Sequence, residues 1–488
     1  MKITKFNFEN LKKFILVLIS VLFIIQLVFL SLGKGGGWDL GQQIAMADRV
    51  LNSELLYTSP QDGFYLSNSP YFPGVSFLST LVSQFSFENR ETILLLIATS
   101  IGIGLLFSLT LLSKQMGVKF QDAYLIILLY GVWFFNSWKA YMTEFKPDSI
   151  VLLAALAVFY LLIKLERRHN SFLCFFCIFL LLLLIGVFKQ QGIAIFIGTM
   201  LFVLFTNSFN RRTKILLFSV IVLGGLSVLG IVFSIPNCIE NTVVVLSRHP
   251  LMTSREILSM FLNSFERMWI FYVPFGLYFL NLLFKRRIEL QRNEREWLFF
   301  AIPWLFFSLL SAIKVGGNEG NIEVAFLPFL PYNVVFLNRI VEKSKEFKYI
   351  LYFCLLLTFY SILFKTKNEY KHWKKYKQEQ TEIIAFLSSN FANKTVLYAG
   401  DDYMTISKAN LKHKSEFDTA TGFGLGKYDL TLFYRAIENQ EYDLIYCSIP
   451  LDLYEDKKIT DVVKNAYISL PLKEKNNPIN GKIYILRR

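Results

Sequence analysis

Charged residues are scarce in this chain, and their scarcity excludes an ordinary soluble protein. Only 18% of the 488 residues are Asp, Glu, Lys or Arg, whereas 54% are hydrophobic. Soluble domains carry about 25% charged residues. The 49 Phe and 24 Tyr suit the lipid and headgroup levels of a bilayer. Together with a mean hydropathy of +0.42, these features predict a polytopic membrane protein.

Cysteine is also sparse, and the chain lacks any nucleic-acid-binding motif. Of five Cys, the one close pair is Cys174 and Cys177, inside an apolar run with no second pair and no His cluster. We therefore interpret them as small apolar membrane residues rather than a zinc or redox site. The net charge of +14 lies mainly in short loops between apolar runs. Positive-inside bias explains that pattern, so no nucleic-acid partner is predicted.

Long apolar runs recur over the first three quarters of the chain. A helix that crosses the hydrocarbon needs about 20 mainly apolar residues. Eleven candidate spans satisfy this approximately: 14–32, 92–113, 122–138, 148–164, 171–188, 192–206, 214–235, 269–284, 297–313, 322–338 and 348–364. The first run is too long for a signal-peptide core and lacks a small-residue cleavage site, which predicts a retained helix. Residues 1–370 are therefore predicted to form an α-helical membrane domain of about eleven transmembrane helices.

Basic residues predict the orientation of this domain. They gather on alternate loops, as at Lys12–Lys13, Arg211–Arg212 and Arg286–Arg287, while the opposite loops are longer and carry far fewer. The rule places the N-terminus in the cytoplasm of a cell (inner) membrane protein. An odd number of spans then places the C-terminal segment outside the cell.

Two long loops, 33–91 and 236–268, fall on the predicted outer side. The first contains two apolar stretches that are too short to span, so we expect helices that lie along the interface. Residues 371–488 are soluble in character. Strand patterns at 395–400, 442–448 and 482–486, with helical patterns between them, predict a small extracytoplasmic α/β domain.

An isolated acid, Asp39, follows the first span directly after a Gly run and enters an amphipathic helix. An acidic side chain at a membrane interface is costly unless it has a function or a partner. Transfer of a sugar from a phosphate to a hydroxyl needs a carboxylate that accepts the hydroxyl proton. We interpret Asp39 as that catalytic acid/base, with Asp48 and Glu144 as possible second acids. Asp48 has the alternative of pairing with Arg49 or with a neighbouring helix.

The outer side is poor in cations, and four of those it keeps are candidates for one ligand: Lys146, Lys189, Arg248 and Lys314. One interpretation is that each extends to lipid headgroups. The other is that they bind an anionic ligand, for which a lipid phosphate is the natural candidate. A divalent cation, Mg²⁺ or Mn²⁺, would serve the same phosphate. No Asp-x-Asp or Glu-x-Asp pair lies beside Asp39, so no metal ligands are assigned.

Short motifs in a particular order resemble those of the GT-C superfamily of membrane glycosyltransferases, in particular relatives of protein O-mannosyltransferases (glycosyltransferase family 39) and of the lipid A aminoarabinose transferase. The matching stretches are Asp39, Ala47–Leu51 with Leu56-Tyr57, Ser69–Gly74, Glu144–Asp148, Lys189–Gly192 and Asn321–Pro328. The resemblance implies a polyprenyl-phosphate-linked sugar donor. It also implies that Asp39 is the base or a metal-positioning acid, and that Lys146 and Lys189 contact the donor phosphate. Trp38, Tyr57, Tyr71, Gln190 and Asn321 are expected to line the substrate site.

The sequence thus predicts an inverting glycosyltransferase that uses a lipid, glycan or protein hydroxyl as acceptor on the outer face. Two alternatives remain open. An O-antigen polymerase or ligase shares the topology but usually lacks a folded domain after the last span. A lipid-linked-sugar transporter or flippase would show internal repeats and broken helices at mid-membrane, and no persuasive repeat is present.

Overall fold

A computed structural model of the protein describes residues 8–34, 37–59, 71–133, 145–167, 171–285, 290–315, 319–399, 403–416, 420–421, 424–425, 427–448, 457–470 and 483–486. The helices up to the end of the bundle are α1 (Phe8–Lys34), α2 (Gly37–Leu51), α3 (Gly74–Phe85), α4 (Arg90–Gln115), α5 (Phe120–Trp133), α6 (Pro147–Arg167), α7 (Phe172–Phe188), α8 (Ile193–Phe205), α9 (Arg211–Ser234), α10 (Val245–Arg248), α11 (Ser254–Lys285), α12 (Arg292–Ala312), α13 (Glu319–Phe326), α14 (Leu330–Lys343) and α15 (Lys345–Phe391).

Helices occupy the described residues of all eleven predicted spans, so the prediction of an α-helical polytopic membrane protein is confirmed. Five helical segments of the described residues are long and apolar enough to cross a bilayer: Lys13–Leu30, Arg90–Gln115, Pro147–Glu166, Arg211–Ser234 and Gly320–Lys343. Shorter apolar helices include Phe120–Val132 and Phe172–Phe188. Large apolar side chains such as Phe172 and Phe233 are exposed, as expected of a surface that faces lipid.

At two of the prolines inside the bundle, a side chain from another helix donates to the carbonyl that the proline cannot serve. Pro328 has no N–H for the carbonyl of Val324, and the indole N–H of Trp304 donates to that carbonyl at 3.1 Å. The predicted span 322–338 is consequently two helices, α13 and α14, joined by a 3₁₀ turn. In α11, Pro274 likewise frees the Ile270 carbonyl, which accepts from the Tyr130 hydroxyl at 3.2 Å. Satisfied carbonyls make such breaks tolerable in lipid.

The C-terminal part contains β1 (Thr395–Ala399), α16 (Tyr403–Lys408), β2 (Lys412–Glu416), α17 (Thr431–Glu438), β3 (Leu444–Cys447), α18 (Lys457–Ala466), β4 (Tyr467–Ser469) and β5 (Ile483–Leu486). The strand order is β2-β1-β3-β5-β4. Strands β2, β1 and β3 are parallel, whereas β5 pairs antiparallel with β3 and β4. The three predicted strands and the α/β class are confirmed. The sequence prediction missed β2 and β4.

Alternation along β1 gives this sheet two different buried faces. Leu397 and Ala399 pack with α17 and α18. Val396 and Tyr398 belong to a second cluster that also holds Leu40 of α2. Successive strand residues point to opposite faces, so the sheet lies with one face against its own helices and the other against the bundle. We call the end of the bundle that contacts the sheet the sheet end.

Charged residues also gather at the opposite end of the bundle. Arg292 pairs with Glu166. Its guanidinium also lies 2.7 Å from the Glu296 carboxylate. Arg339 pairs with the fully buried Glu294 at 3.1 Å. These residues lie near helix ends beside the predicted cytoplasmic loops, so charged groups also mark this end of the described bundle.

Candidate active site

Helix α2 is an internal element of the sheet end, buried from Leu40 to Ala47. It packs along α3, where the Ser76 hydroxyl donates to the Gln43 side chain at 2.6 Å. The Gly run predicted to free this helix from α1 does so, since α2 begins at Gly37 as a separate helix. The backbone of Trp38 and Asp39 lies in its first turn, while their side chains lie outside the described set.

A buried ion pair forms at the neighbouring hairpin turns. The Lys189 ammonium lies 2.6 Å from the Asp148 carboxylate, and both side chains are less than a tenth exposed. The same nitrogen lies 5.5 Å from the centre of the Tyr71 ring. Asp148 occupies the first turn of α6 directly after Pro147, a position that the helix dipole favours for an acid. A cation, an acid and an aromatic ring from three segments therefore meet here.

The predicted acid and two of the predicted phosphate-binding lysines flank one apolar cluster. Leu40 and Phe145 are buried members of that cluster, and Phe188 packs against it. These residues are the direct neighbours of Asp39, Lys146 and Lys189. Because one residue advances the chain by at most about 3.8 Å, the backbones of all three are held at this end of the bundle. Lys146 is half-buried and precedes Asp148 by two residues.

Gly74, the first residue of α3, permits the close approach that builds this region. A Cβ at this position would lie 2.6 Å from the Phe188 ring and 2.9 Å from the Val187 carbonyl oxygen. The second atom is backbone and cannot rotate away. Only glycine therefore lets α3 start against the end of α7, three residues after Tyr71 and beside Lys189.

Asp48, near the C-terminal end of α2, is surrounded by hydrogen-bond donors. Arg90 forms a bidentate pair with it, with Nη2 to Oδ2 at 2.9 Å. The Tyr403 hydroxyl donates to the same oxygen at 3.1 Å. Burial, and then the charge of Asp48, raise the pKa of Tyr403 well above its usual value, so the phenol stays a donor. These contacts favour a structural role for Asp48 over the predicted second acid.

The remaining predicted lining residues are distributed over a wider area. Tyr57 is fully buried, and its hydroxyl donates to the Tyr71 carbonyl at 2.6 Å. Gln190 donates to the Thr242 carbonyl at 2.8 Å. This bond connects the turn at Lys189–Gly192, called the lysine turn below, to the second long loop. Asn321 is half-buried in α13. Glu144 lies outside the described residues.

Arg248 and Lys314 belong to a separate part of the sheet end. The Lys314 ammonium donates to the Leu246 carbonyl at 2.9 Å, and the Arg248 guanidinium lies 5.0 Å from the Tyr428 ring centre. The structure therefore brings Lys189 and Tyr71 together, with Lys146 two residues from Asp148, and gives the other two cations contacts with the second long loop and the sheet domain.

Sequence reasoning missed two residues of this region, Arg90 and Tyr403. Arg90 is the first residue of an apolar helix, where a charged residue is ordinary. Tyr403 is 355 residues from its partner Asp48. As for metals, the described side chains include no group of three or more His, Cys, Asp or Glu placed to hold an ion. We therefore derive no step through a metal.

The described chain combines a bundle of apolar helices, a short separate helix α2 after the first span, and a sheet domain packed on the bundle. No family model and no curated protein sequence matches the chain. Among solved structures, it is similar to ArnT of Cupriavidus metallidurans bound to undecaprenyl phosphate, at 10% identity and a TM-score of 0.56, over 97% of this chain and 98% of that one. The apo form of ArnT matches equally well, at 11% identity.

An archaeal protein shares the fold as well. The oligosaccharyltransferase of Archaeoglobus fulgidus tethered to an acceptor peptide matches at 12% identity and a TM-score of 0.51, over 93% of this chain and 72% of that chain. ArnT and this oligosaccharyltransferase are GT-C membrane glycosyltransferases. The resemblance predicted from the sequence is therefore confirmed for the fold over almost the whole length of the chain, which is a multi-pass membrane protein.

Proposed function

We propose that this protein is an integral membrane glycosyltransferase that moves a sugar from a polyprenyl-phosphate donor to a hydroxyl acceptor. One observation carries the proposal: within a GT-C fold, Leu40, Phe145 and Phe188 meet at one cluster and bring their neighbours Asp39, Lys146 and Lys189 to the same end. A base and two phosphate-binding cations are the groups that this transfer needs. ArnT, whose structure with undecaprenyl phosphate shares this fold, supports a lipid-phosphate donor.

The proposed reaction is a single displacement. Asp39 accepts the proton of the acceptor hydroxyl, whose oxygen forms a bond to the anomeric carbon. The bond between that carbon and the phosphate oxygen breaks, and its electron pair leaves with the polyprenyl phosphate. Lys146 and Lys189 stabilise the charge on the departing phosphate, as preorganised cations do. Attack opposite the leaving group inverts the anomeric centre.

The proposed orientation places the sheet end outside the cytoplasm and the N-terminus inside. The membrane domain would comprise 1–370 and the soluble domain 371–488. Helix α15 runs continuously through that boundary, from Lys345 to Phe391, so one rigid helix joins the two parts. The orientation is tested by labelling intact cells that carry a single reporter cysteine, placed in one variant at Lys464 and in another at Lys343, both of which are exposed.

Release of polyprenyl phosphate from a panel of polyprenyl-phosphate sugars by the purified protein tests the activity. We expect release for at least one donor and its loss in Asp39→Asn. Asp461→Asn, on an exposed position of α18, is the matched control and should keep wild-type turnover. Wild-type turnover by Asp39→Asn would refute the role of Asp39. A flippase would move the donor without releasing any polyprenyl phosphate.

A further inference from the structure

Helix α2 cannot take its orientation from the chain that precedes it. It has 15 residues, a length at which an isolated helix is marginal in water. Residues 35–37 are all Gly, which imposes little conformational restriction. The direction of α2, and with it the position of Asp39, must therefore be set by tertiary contacts.

Three polar contacts of α2 lead to the sheet domain. The Gln42 amide donates to Glu416 of β2 at 3.2 Å. Two turns later, Asp48 accepts from Tyr403 at 3.1 Å and from Ser407 at 3.3 Å, both in α16. Gln42, Glu416 and Tyr403 are buried, and Asp48 and Ser407 are half-buried. Contacts at two points six residues apart constrain the tilt of the helix as well as its distance from the sheet domain.

Arg90 completes the junction from the membrane side. Its guanidinium pairs with Asp48, donates to the Ser407 hydroxyl at 2.5 Å and lies 4.0 Å from the Phe87 ring centre. The residue has no exposed surface. A second ion pair lies beside it, in which Lys408 contacts Glu91 at 2.8 Å. Three elements, α2, α4 and α16, are thus joined by charged groups that burial makes costly to separate.

We propose that Asp48 and Arg90, with Tyr403 and Ser407, form a positioning cluster through which the sheet domain holds α2 and its Asp39 in the catalytic arrangement. This inference rests on the proposed glycosyl transfer. Asp48 lies nine residues, or about 14 Å of helix, from Asp39, so it acts through the helix rather than on the substrate. The sheet domain is then a required part of the catalytic unit and not a detachable acceptor-binding module.

Conservative variants of the sheet-domain partners test the proposal. Tyr403→Phe removes one hydrogen bond to Asp48, and Ser407→Ala removes one to Asp48 together with the bond that its hydroxyl accepts from Arg90. Tyr442→Phe is the matched control, because it removes a buried phenol hydrogen bond, to Ser415 at 3.1 Å, within the same domain. We expect a fall in kcat of about tenfold or more for the first two, since small misplacements of a reacting group are costly. The KM for the donor should stay unchanged, and Tyr442→Phe should keep the wild-type kcat.

Charge exchange supplies a second, independent readout. Glu91→Lys and Lys408→Glu should each lower kcat, and the double exchange should restore most of it at an unchanged donor KM. Folding is followed in every variant by thermal unfolding in detergent. An active wild type whose Tyr403, Ser407 and charge variants all keep its kcat would overturn the positioning role alone. A wild type that releases no polyprenyl phosphate from any donor would overturn the proposed function as well.

Discussion

The buried pair of Lys189 and Asp148 offers the sharpest test of the proposed phosphate site, because stability and function make different demands on it. The two side chains are 8% and 7% exposed and 2.6 Å apart. Removal of one member of such a pair leaves a buried charge without compensation and costs about 3–5 kcal/mol. Lys189→Met and Asp148→Asn should therefore each lower the free energy of unfolding by about that amount.

The double variant separates the two roles. With both charges removed, most of the lost stability should return, because a neutral replacement of a buried ion pair is often nearly as stable. If Lys189 also binds the donor phosphate, the KM for the donor stays high in the double variant. A hydrogen bond to a charged group contributes about 1.5–3 kcal/mol. Its loss corresponds to an increase in the KM for the donor of roughly tenfold to 150-fold.

Unfolding in mild detergent and initial rates of polyprenyl-phosphate release measure both quantities on the same preparations. We expect the double variant to be close to the wild type in stability and far from it in KM. A double variant that recovers the wild-type KM would show that Lys189 serves Asp148 alone. The phosphate would then have to be bound elsewhere, and the proposed site would be wrong.

Two further predictions concern glycine contacts and a third concerns a carboxylate. Gly74→Ala should reduce turnover more than thermal stability, because the added methyl group would lie 2.9 Å from the Val187 carbonyl oxygen and displace α3 from the lysine turn. Equal losses of turnover and stability would contradict this. Gly198→Val should lower the midpoint of thermal unfolding by several degrees, since even a Cβ there lies 2.8 Å from a backbone oxygen of α12; an unchanged midpoint would refute that contact. Burial acts to raise the pKa of Asp443, but hydrogen bonds from Thr395 hold this pKa below its usual value. The sheet domain should therefore lose stability as the pH falls from about 4 through that lowered pKa, and Asp443→Asn should remove this acid-dependent loss in a pH series of unfolding measurements.

Hydropathy allowed the sequence to locate the bundle, because the bilayer imposes its requirement on each helix separately. The described residues of all eleven predicted spans are helical, and the early position of Asp39 in a distinct helix followed from the Gly run. The break at Pro328 inside one predicted span was not predicted. Its tolerance depends on Trp304, which is 20 residues from the carbonyl that it satisfies.

The two missed strands, β2 and β4, lack the local sequence patterns from which strands are predicted. Strand β2, Lys412–Glu416, is an edge strand of mostly charged and polar residues, the composition that protects edges from pairing with other chains. Strand β4 has only three residues, too few for an alternation to be recognised. Both form because β1 and β5 present hydrogen-bonding partners to them.

The sequence by itself determined the class of the protein, the approximate spans and the candidate acid, since each depends on the composition of one continuous stretch. Only the tertiary structure decided the partners: Lys189 with Asp148 across 41 residues, Asp48 with Arg90 across 42, and Asp48 with Tyr403 across 355. Pairing of charges in a buried interior depends on which helix ends meet, and no single stretch of sequence contains that information.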